Sequence, residues 1–423
     1  MIVYKFGGAS INNIERIQQV IEIVKKIPEN EMAILVISAM GKTTNALEKV
    51  VASFYNKNTT EALALFNVIK NQHLNIAKYL LVQQYNTCYT KLSDIFTEVE
   101  WLLHDNPVKT FDYYYDQIVC SGELLSSTII HFYCQENGVA SKWIDIRDVL
   151  LTDNNFRDAG IEWNVTEHKA KQAFLKDEKQ VYITQGFIGA TSDNESTTLG
   201  REGSDFTAAI LGNILQANSV TIWKDVEGVM SADPKYFPEA VYIPELSYHE
   251  VIEMAYYGAQ VIHPKTIQPL QNKNIPLLVK CFLNPALPGT IIQRNNQVQL
   301  PPIQILKENQ VLITLQSLDF SFVGGVTMNG IYAILQELKL IPNLIQFGAI
   351  AVQICMDDKP EKITQLALAA AANFNVQVEK NLQLFTVRHY NAAIVEKVNR
   401  ENTVVLRQQT PVTIQILKQS EQH

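Results

Sequence analysis

Apolar side chains fall into two patterns along the first part of this chain. Residues 2–6 and residues 33–38 are short runs dominated by apolar side chains, the first ending at Gly7-Gly8. Continuous runs of this length predict strands covered on both faces. Between them Ile11, Ile14, Ile17, Val20, Val24 and Ile27 recur every three or four residues, the helical period, before Pro28 interrupts. Strand, helix, strand predicts a right-handed crossover and a parallel pair. Residues 43–135 keep a mostly helical pattern, with no proline from residue 60 until Pro107. Strand-like runs return around residues 143–144, 181–184, 220–223 and 277–279, with helical stretches between them. The alternation predicts an α/β domain with a mostly parallel sheet sandwiched by helices. Ligands of such sheets sit beyond the carboxyl ends of the strands.

The texture changes near residues 294–302, a polar stretch stiffened by Pro301-Pro302. Beyond it we expect a strand at 311–315, a helix at 330–338, a strand at 349–355 and a helix at 363–372. Short β-like runs follow at 376–379, 384–388 and 404–406. The pattern is that of a small α+β region, and the expected division is 1–295 and 303–423.

A chain of 423 residues fits two or three domains. The formal net charge of −8, without a basic block, argues against nucleic acid or an anionic membrane as partner. An anion must then be captured locally. Cys88, Cys120, Cys134, Cys281 and Cys355 are scattered, with no Cys-x-x-Cys spacing, which fits reduced thiols rather than a disulfide or zinc framework. The amino terminus lacks the apolar core of a secretion signal, and no run nears the roughly 18 apolar residues of a membrane span. A cytoplasmic protein is the expectation.

The candidate chemistry lies at the ends of the predicted strands. Thr197-Thr198-Leu199-Gly200-Arg201-Glu202-Gly203-Ser204-Asp205 is a polar, glycine-broken run opening onto an apolar helix. Free N–H groups and the helix dipole favour an anion there, and Arg201 adds a fork that matches a carboxylate or phosphate. In the plainer alternative, Ser204 or Asp205 merely caps the helix. Lys5 and Gly7-Gly8 form either a phosphate-approach turn or an ordinary turn. Gly41-Lys42-Thr43-Thr44 has the tail of a P-loop, but Val36 stands where that loop needs its first glycine, so a Walker site is excluded. Glu123, in Ser121-Gly122-Glu123, either suits a helix N-terminus or holds an ammonium group. Lys224, Asp225 and the turn-rich stretch through Met230 and Lys235 fit either a nucleotide with magnesium or a solvated loop. His263, before Pro264, reads as structural rather than catalytic.

Taken together, these stretches resemble the aspartate kinases of the amino-acid kinase superfamily. The resemblance runs through about the first 295 residues, in family order: residues 5–10, 38–45, 121–123, 184–187, 197–205, 223–234 and 258–264. The Thr-Thr-Leu-Gly-Arg-x-Gly-Ser-Asp run together with Ser-Gly-Glu separates this family from other kinases of the fold. The resemblance implies the amino-acid kinase fold and transfer of the ATP γ-phosphoryl group to the side-chain carboxylate of L-aspartate. The product would be 4-phospho-L-aspartate, which leads toward lysine, threonine and methionine. That carboxylate, with an ordinary pKa of about 4, is already ionised at neutral pH. No general base is needed, so the work is positioning and charge neutralisation.

By the same match, Lys5 stabilises the transferring phosphoryl oxygens and Asp205 orients Lys5 and the glycine loop. Arg201 pairs with a carboxylate of aspartate, Glu123 takes its ammonium, and Thr44 and Ser204 add hydrogen bonds. Gly7, Gly8, Lys224, Asp225, Met230, Lys235, Gln260 and Val261 line the nucleotide, and magnesium bridges its phosphates; no protein metal ligand is assigned. The chain departs from the family at Ala9 (usually Thr), Glu202 (usually Gly), Lys224 (often Thr) and Met230 (often Tyr). Gln260 stands where many members carry a phosphate-facing Lys; the gain of Lys224 nearly balances that loss in charge, so Lys224 is expected to take over that contact.

The tail resembles the ACT regulatory modules of this family, one module plus a truncated second, and implies a homodimer or larger assembly. The effector loop's Asp and Ser-Glu pair are missing from residues 341–349, which counts against lysine or threonine feedback. The end at His423 leads us to expect no fused homoserine dehydrogenase. The alternatives are a non-catalytic amino-acid-sensing paralogue and a kinase of another small carboxylate.

Overall fold

A computed structural model of the chain describes residues 1–176, 180–294, 299–319, 321–399 and 404–420. Residues 295–298, within the expected boundary, lie outside the described residues. The chain forms two compact units. The first comprises Met1–Val229, Tyr242–Ala255 and Gln260–Val298; the second comprises Met230–Val241, Tyr256–Ala259 and Gln299–His423.

In chain order the elements begin β1 (Ile2–Phe6), α1 (Ile14–Val24), β2 (Ala33–Ile37), α2 (Thr43–Tyr55), α3 (Thr59–Leu80), α4 (Tyr85–His104), α5 (Phe111–Val119) and α6 (Ser121–Glu136). Then come β3 (Ser141–Trp143), α7 (Trp163–Leu175), β4 (Val181–Gln185), β5 (Ile188–Ala190), β6 (Ser196–Thr198), α8 (Gly203–Ile214) and β7 (Ser219–Lys224). They are followed by β8 (Val229–Met230), β9 (Tyr242–Ile243), β10 (Glu245–Ser247), α9 (Tyr248–Tyr257), α10 (Pro264–Lys273), β11 (Leu277–Cys281) and β12 (Thr290–Gln293).

The main sheet of the first unit has the order β10-β12-β11-β7-β1-β2-β4-β3. It is parallel except for the β11–β12 pair. The interior strand β2 is buried throughout, as its unbroken apolar run requires. Ala33, Leu35 and Ile37 face a core built with Ile17, Phe54, Phe66, Phe96 and Ile129 from α1, α2, α3, α4 and α6. Ile34 and Val36, also buried, point to the opposite face. There α8 packs on β1, β2 and β7 and is joined by α10. Parallel pairing brings the carboxyl ends of β1, β2 and β7 to one edge of the sheet.

The second unit contains β13 (Ile303–Ser317), α11 (Gly325–Glu337), β14 (Pro342–Phe347), β15 (Ala351–Asp357), α12 (Pro360–Ala370), β16 (Phe374–Arg388), α13 (Ala392–Asn399), β17 (Val404–Gln409) and β18 (Thr413–Gln419). They form one antiparallel sheet, β14-β15-β13-β16-β18-β17. Two expectations are corrected here. The runs at 376–379 and 384–388 are one strand, β16, whose polar middle sits where Asn381 turns through φ +58°. The stretch expected as an effector loop is largely strand β14. The two long strands β13 and β16 shift register between Lys307 and Gln310. One half of each packs with α11 and α12 around Ile313, Leu315, Ile331 and Leu366. The other half of β16 pairs with β18, over Val387, Ile414 and Ile416. Among the described residues no helix is long and apolar enough to cross a membrane.

Candidate active site

A cavity of about 510 Å³ opens at the carboxyl edge of β1, β2 and β7. Lys5, next to last in β1, lies in its floor, with Nζ 2.6 Å from Asp205 Oδ1. Both groups are largely buried, at 12% and 4% exposure. The contact has the distance of an ion pair without hydrogen-bond alignment, since Asp205 Oδ1 is satisfied by no hydrogen bond. Pairing avoids leaving either charge alone in a poorly solvated place. Asp205 stands in the first turn of α8, where the helix dipole favours a carboxylate.

The glycines at this edge are dictated by close approach. A Cβ on Gly8 would lie 2.7 Å from the Ala39 carbonyl oxygen and 2.9 Å from that of Gly41, so the turns after β1 and β2 could not meet. A Cβ on Gly7 would lie 3.3 Å from Lys5 Nζ. Thr44 follows at the start of α2, whose end carries no side-chain cap.

Glu123 enters from the first turn of α6. Gly122 before it packs closely on Ala39, Leu47 and Thr43, where an added Cβ would lie 3.0 Å from the Ala39 Cβ and 3.2 Å from Leu47 Cδ1, which seats α6 against α2. Glu123 is buried; the Ala39 N–H donates to its Oε1 at 3.1 Å, while Oε2 has no partner. Burial pushes its pKa from 4.5 up to about 8, against the Ala39 hydrogen bond and the charge of Lys5. A buried carboxyl with one open oxygen is suited to receive a cation.

The run from Thr197 to Asp205 is half strand and half helix start. Thr198 ends β6; its N–H and hydroxyl donate to Asp116 at 2.8 and 2.7 Å. Gly200 takes φ +75° and Arg201 is exposed at the cavity. Glu202, not Ser204 or Asp205, occupies the position before α8, and no side chain caps the helix, so the capping reading does not hold. Two of the first N–H groups of α8 are already used within the turn: Gly203 donates to the Gly200 carbonyl at 3.1 Å and Asp205 to the Glu202 carbonyl at 3.0 Å. Glu202 adopts φ +56°, where glycine is favoured, and its Oε2 accepts from the His263 N–H at 2.9 Å. Ser204 packs on Gly186, where a Cβ would lie 2.5 Å from the Ser204 Cβ.

Lys224 ends β7, lines the same cavity and donates to the Val261 carbonyl at 2.5 Å. Gln260 is exposed and Val261 half-buried beside it in the chain; Asp225 is exposed just after β7. Met230 and Lys235 belong to the second unit, where Lys235 Nζ lies 3.3 Å from the Tyr236 hydroxyl. His263 caps α10, its side chain accepting from the Lys265 N–H, which is a structural role.

Two residues at or behind the cavity escaped sequence reasoning. Asp116 had one signal, a carboxylate in the buried second half of the largely aromatic and aliphatic α5. Arg157, which lines the cavity from a polar loop, had none.

The amino acid kinase family model matches residues 1–281. Lysine-sensitive aspartokinase 3 of Escherichia coli is 30% identical over 395 residues, 91% of this chain and 86% of that protein. The bifunctional aspartokinase/homoserine dehydrogenase of Daucus carota is 30% identical over 414 residues, 94% of this chain. The chain spans 44% of that relative and 41% of a Zea mays counterpart, under half the length of either. Among solved structures, E. coli aspartokinase III with aspartate and ADP superposes with a TM-score of 0.82 at 26% identity, covering 99% of this chain and 96% of that one. The same enzyme with lysine and aspartate gives 0.82 at 27% identity, covering 99% and 95%. The chain therefore belongs to the amino acid kinase family, among its aspartokinases.

Proposed function

We propose that the chain transfers the γ-phosphoryl group of ATP to the side-chain carboxylate of L-aspartate. The observation that carries this is one cavity combining the Lys5–Asp205 pair, the open oxygen of buried Glu123, and exposed Arg201. The acceptor carboxylate oxygen forms a bond to phosphorus as the bond from phosphorus to the β,γ-bridging oxygen breaks. ADP leaves with that electron pair, and no proton moves. Lys5 neutralises charge on the transferring oxygens, held in place by Asp205. Glu123 takes the substrate ammonium, Arg201 a carboxylate, and Thr44 and Ser204 hydrogen-bond the acceptor. Gly7, Gly8, Lys224, Asp225, Gln260 and Val261 serve the nucleotide, and the same assignment extends to Met230 and Lys235.

Magnesium, bound to the phosphates, would offset their charge. Among the described residues no group of three His, Cys, Asp or Glu side chains is arranged to hold a metal ion. Residues 1–295 are assigned to catalysis and 303–423 to an ACT-like region that mediates self-association. A cytoplasmic location fits five free, buried cysteines.

The test is ATP, magnesium and L-aspartate with hydroxylamine to trap the acyl phosphate. Aspartate hydroxamate is the expected product. No hydroxamate from aspartate, whether or not glutamate yields one, would overturn the proposal.

A further inference from the structure

Arg157 lines the cavity beside the residues assigned to the acceptor, yet nothing in the proposed mechanism uses it. Its backbone sits at φ +71°, a region a branched or long side chain rarely occupies. Such a conformation persists only where the surroundings fix it, and it points to function. The surroundings do fix it. The Arg157 N–H donates to Asp116 Oδ2 at 3.0 Å, and the same oxygen accepts from the Thr198 N–H at 2.8 Å. One buried carboxylate therefore holds both the Arg157 loop and the strand leading to Arg201. Ala159 N–H donates to the Thr198 carbonyl at 3.0 Å, and a Cβ on Gly200 would lie 3.2 Å from the Arg157 carbonyl oxygen. The two arginine-bearing segments are thus in backbone contact.

The guanidinium is also pre-set. It lies over the Tyr115 ring, 4.4 Å from the centroid, and Tyr115 is fixed in turn by donating to Glu48 at 2.9 Å. Stacking orients the guanidinium plane and leaves its edge N–H groups free to donate. Its ion pair with Asp112, at 3.0 Å, is about half exposed on both sides, and such pairs exchange readily for a ligand.

We infer that Arg157 joins Arg201 in gripping the α-carboxylate of the acceptor, the end that does not react, and so favours acceptors whose α-carboxylate is free. This rests on the aspartate kinase reading. The reacting carboxylate has to reach Lys5, in the cavity floor, so the exposed arginines are left for the opposite end of the substrate.

The test compares L-aspartate with its α-amide, which keeps the reacting carboxylate, in the wild type and in Arg157→Gly. Glycine keeps the positive φ and removes the side chain with its guanidinium. If wild type makes no aspartate hydroxamate, the aspartate kinase reading fails, independently of Arg157. If wild type is active, Arg157→Gly should lower kcat/KM for aspartate by about tenfold or more through KM, and leave that for the α-amide and the KM for ATP within about threefold. An equal fall for both acceptors, as a merely structural role would give, overturns the inference; so does an unchanged aspartate KM. Arg157→Asn, which also tolerates positive φ, substitutes if the glycine variant does not fold.

Discussion

Glu123 holds its proton in the ligand-free protein at neutral pH, because burial has moved its pKa from 4.5 to about 8. The folded state then binds a proton that the unfolded chain releases above about pH 4.5, so this residue's contribution to stability declines as pH rises toward 8. Glu123→Gln should therefore melt at a higher temperature than wild type at pH 8.5 and lose that advantage near pH 5. An ammonium ligand reverses the preference and favours the carboxylate. Aspartate binding at pH 7 should then release close to one proton in the wild type and almost none in Glu123→Gln, read by calorimetry in buffers of different ionisation enthalpy. Equal release from both would separate Glu123 from the ammonium. Lys224 invites a simpler experiment. It already reaches the 260–261 segment, so Lys224→Met should raise the KM for ATP about tenfold, the worth of one charge-assisted contact, and leave that for aspartate unchanged. An unchanged KM for ATP would exclude Lys224 as the substitute for the family lysine. At this scale the sequence is most readable where unusual residues crowd a strand or helix end, as at Lys5, Glu123 and residues 197–205. It is unreadable where the partners are far apart in the chain. Asp116 binds Arg157 and Thr198, 41 and 82 residues away, and no local pattern announces either contact. Glu202 belongs with them, since its bond to His263 spans 61 residues.

The elements that carry the site were legible where burial is two-sided. β2 and β4 are both buried throughout; β2 reads as an unbroken apolar run and β4 opens on one, Val181-Tyr182-Ile183. β14 and β16 were misread because each is only partly covered and polar near the break: Pro342-Asn343 opens β14, and Lys380-Asn381 interrupts β16. Helix α8 shows how tightly an element is seated beneath the substrate loop. Gly212 lies in its interior, where alanine ordinarily adds about 0.5–1 kcal/mol of stability. Here an added Cβ would lie 2.5 Å from Val220 Cγ2 of β7, which is fully buried. Overpacking of this kind costs about 1–3 kcal/mol. Gly212→Ala should consequently lower the melting temperature, and Val220→Ala should recover part of the loss in the double variant. A rise in melting temperature for Gly212→Ala alone would mean that α8 can move off the sheet without penalty.

The whole molecule contains two compact units with separate apolar cores. One is organised around the parallel sheet, the other around Ile313, Leu315, Ile331 and Leu366. Separate cores allow each unit to melt as its own cooperative system, and scanning calorimetry of the intact chain should resolve two transitions. The assignment of catalysis to the first unit makes them distinguishable. Ligands that bind only folded protein stabilise by RT ln(1 + [L]/Kd), so ADP with aspartate at about 100 times their Kd should raise one transition by the equivalent of about 2.7 kcal/mol. Ile313→Ala, at a fully buried position of the second core, should lower the other by about 2–5 kcal/mol. Hydroxamate formation by Ile313→Ala, assayed well below either transition at saturating ATP, should stay within about twofold of wild type, because the groups assigned to the transfer step, Lys5, Asp205, Glu123 and Arg201, all belong to the first unit. Loss of activity without loss of the ligand-sensitive transition would mean that the second unit, where Met230 and Lys235 are assigned to the nucleotide, also governs the transfer step. A single transition moved by both ligand and substitution would mean that the two cores fold as one, and the catalytic and ACT-like regions would have no separate stability to regulate.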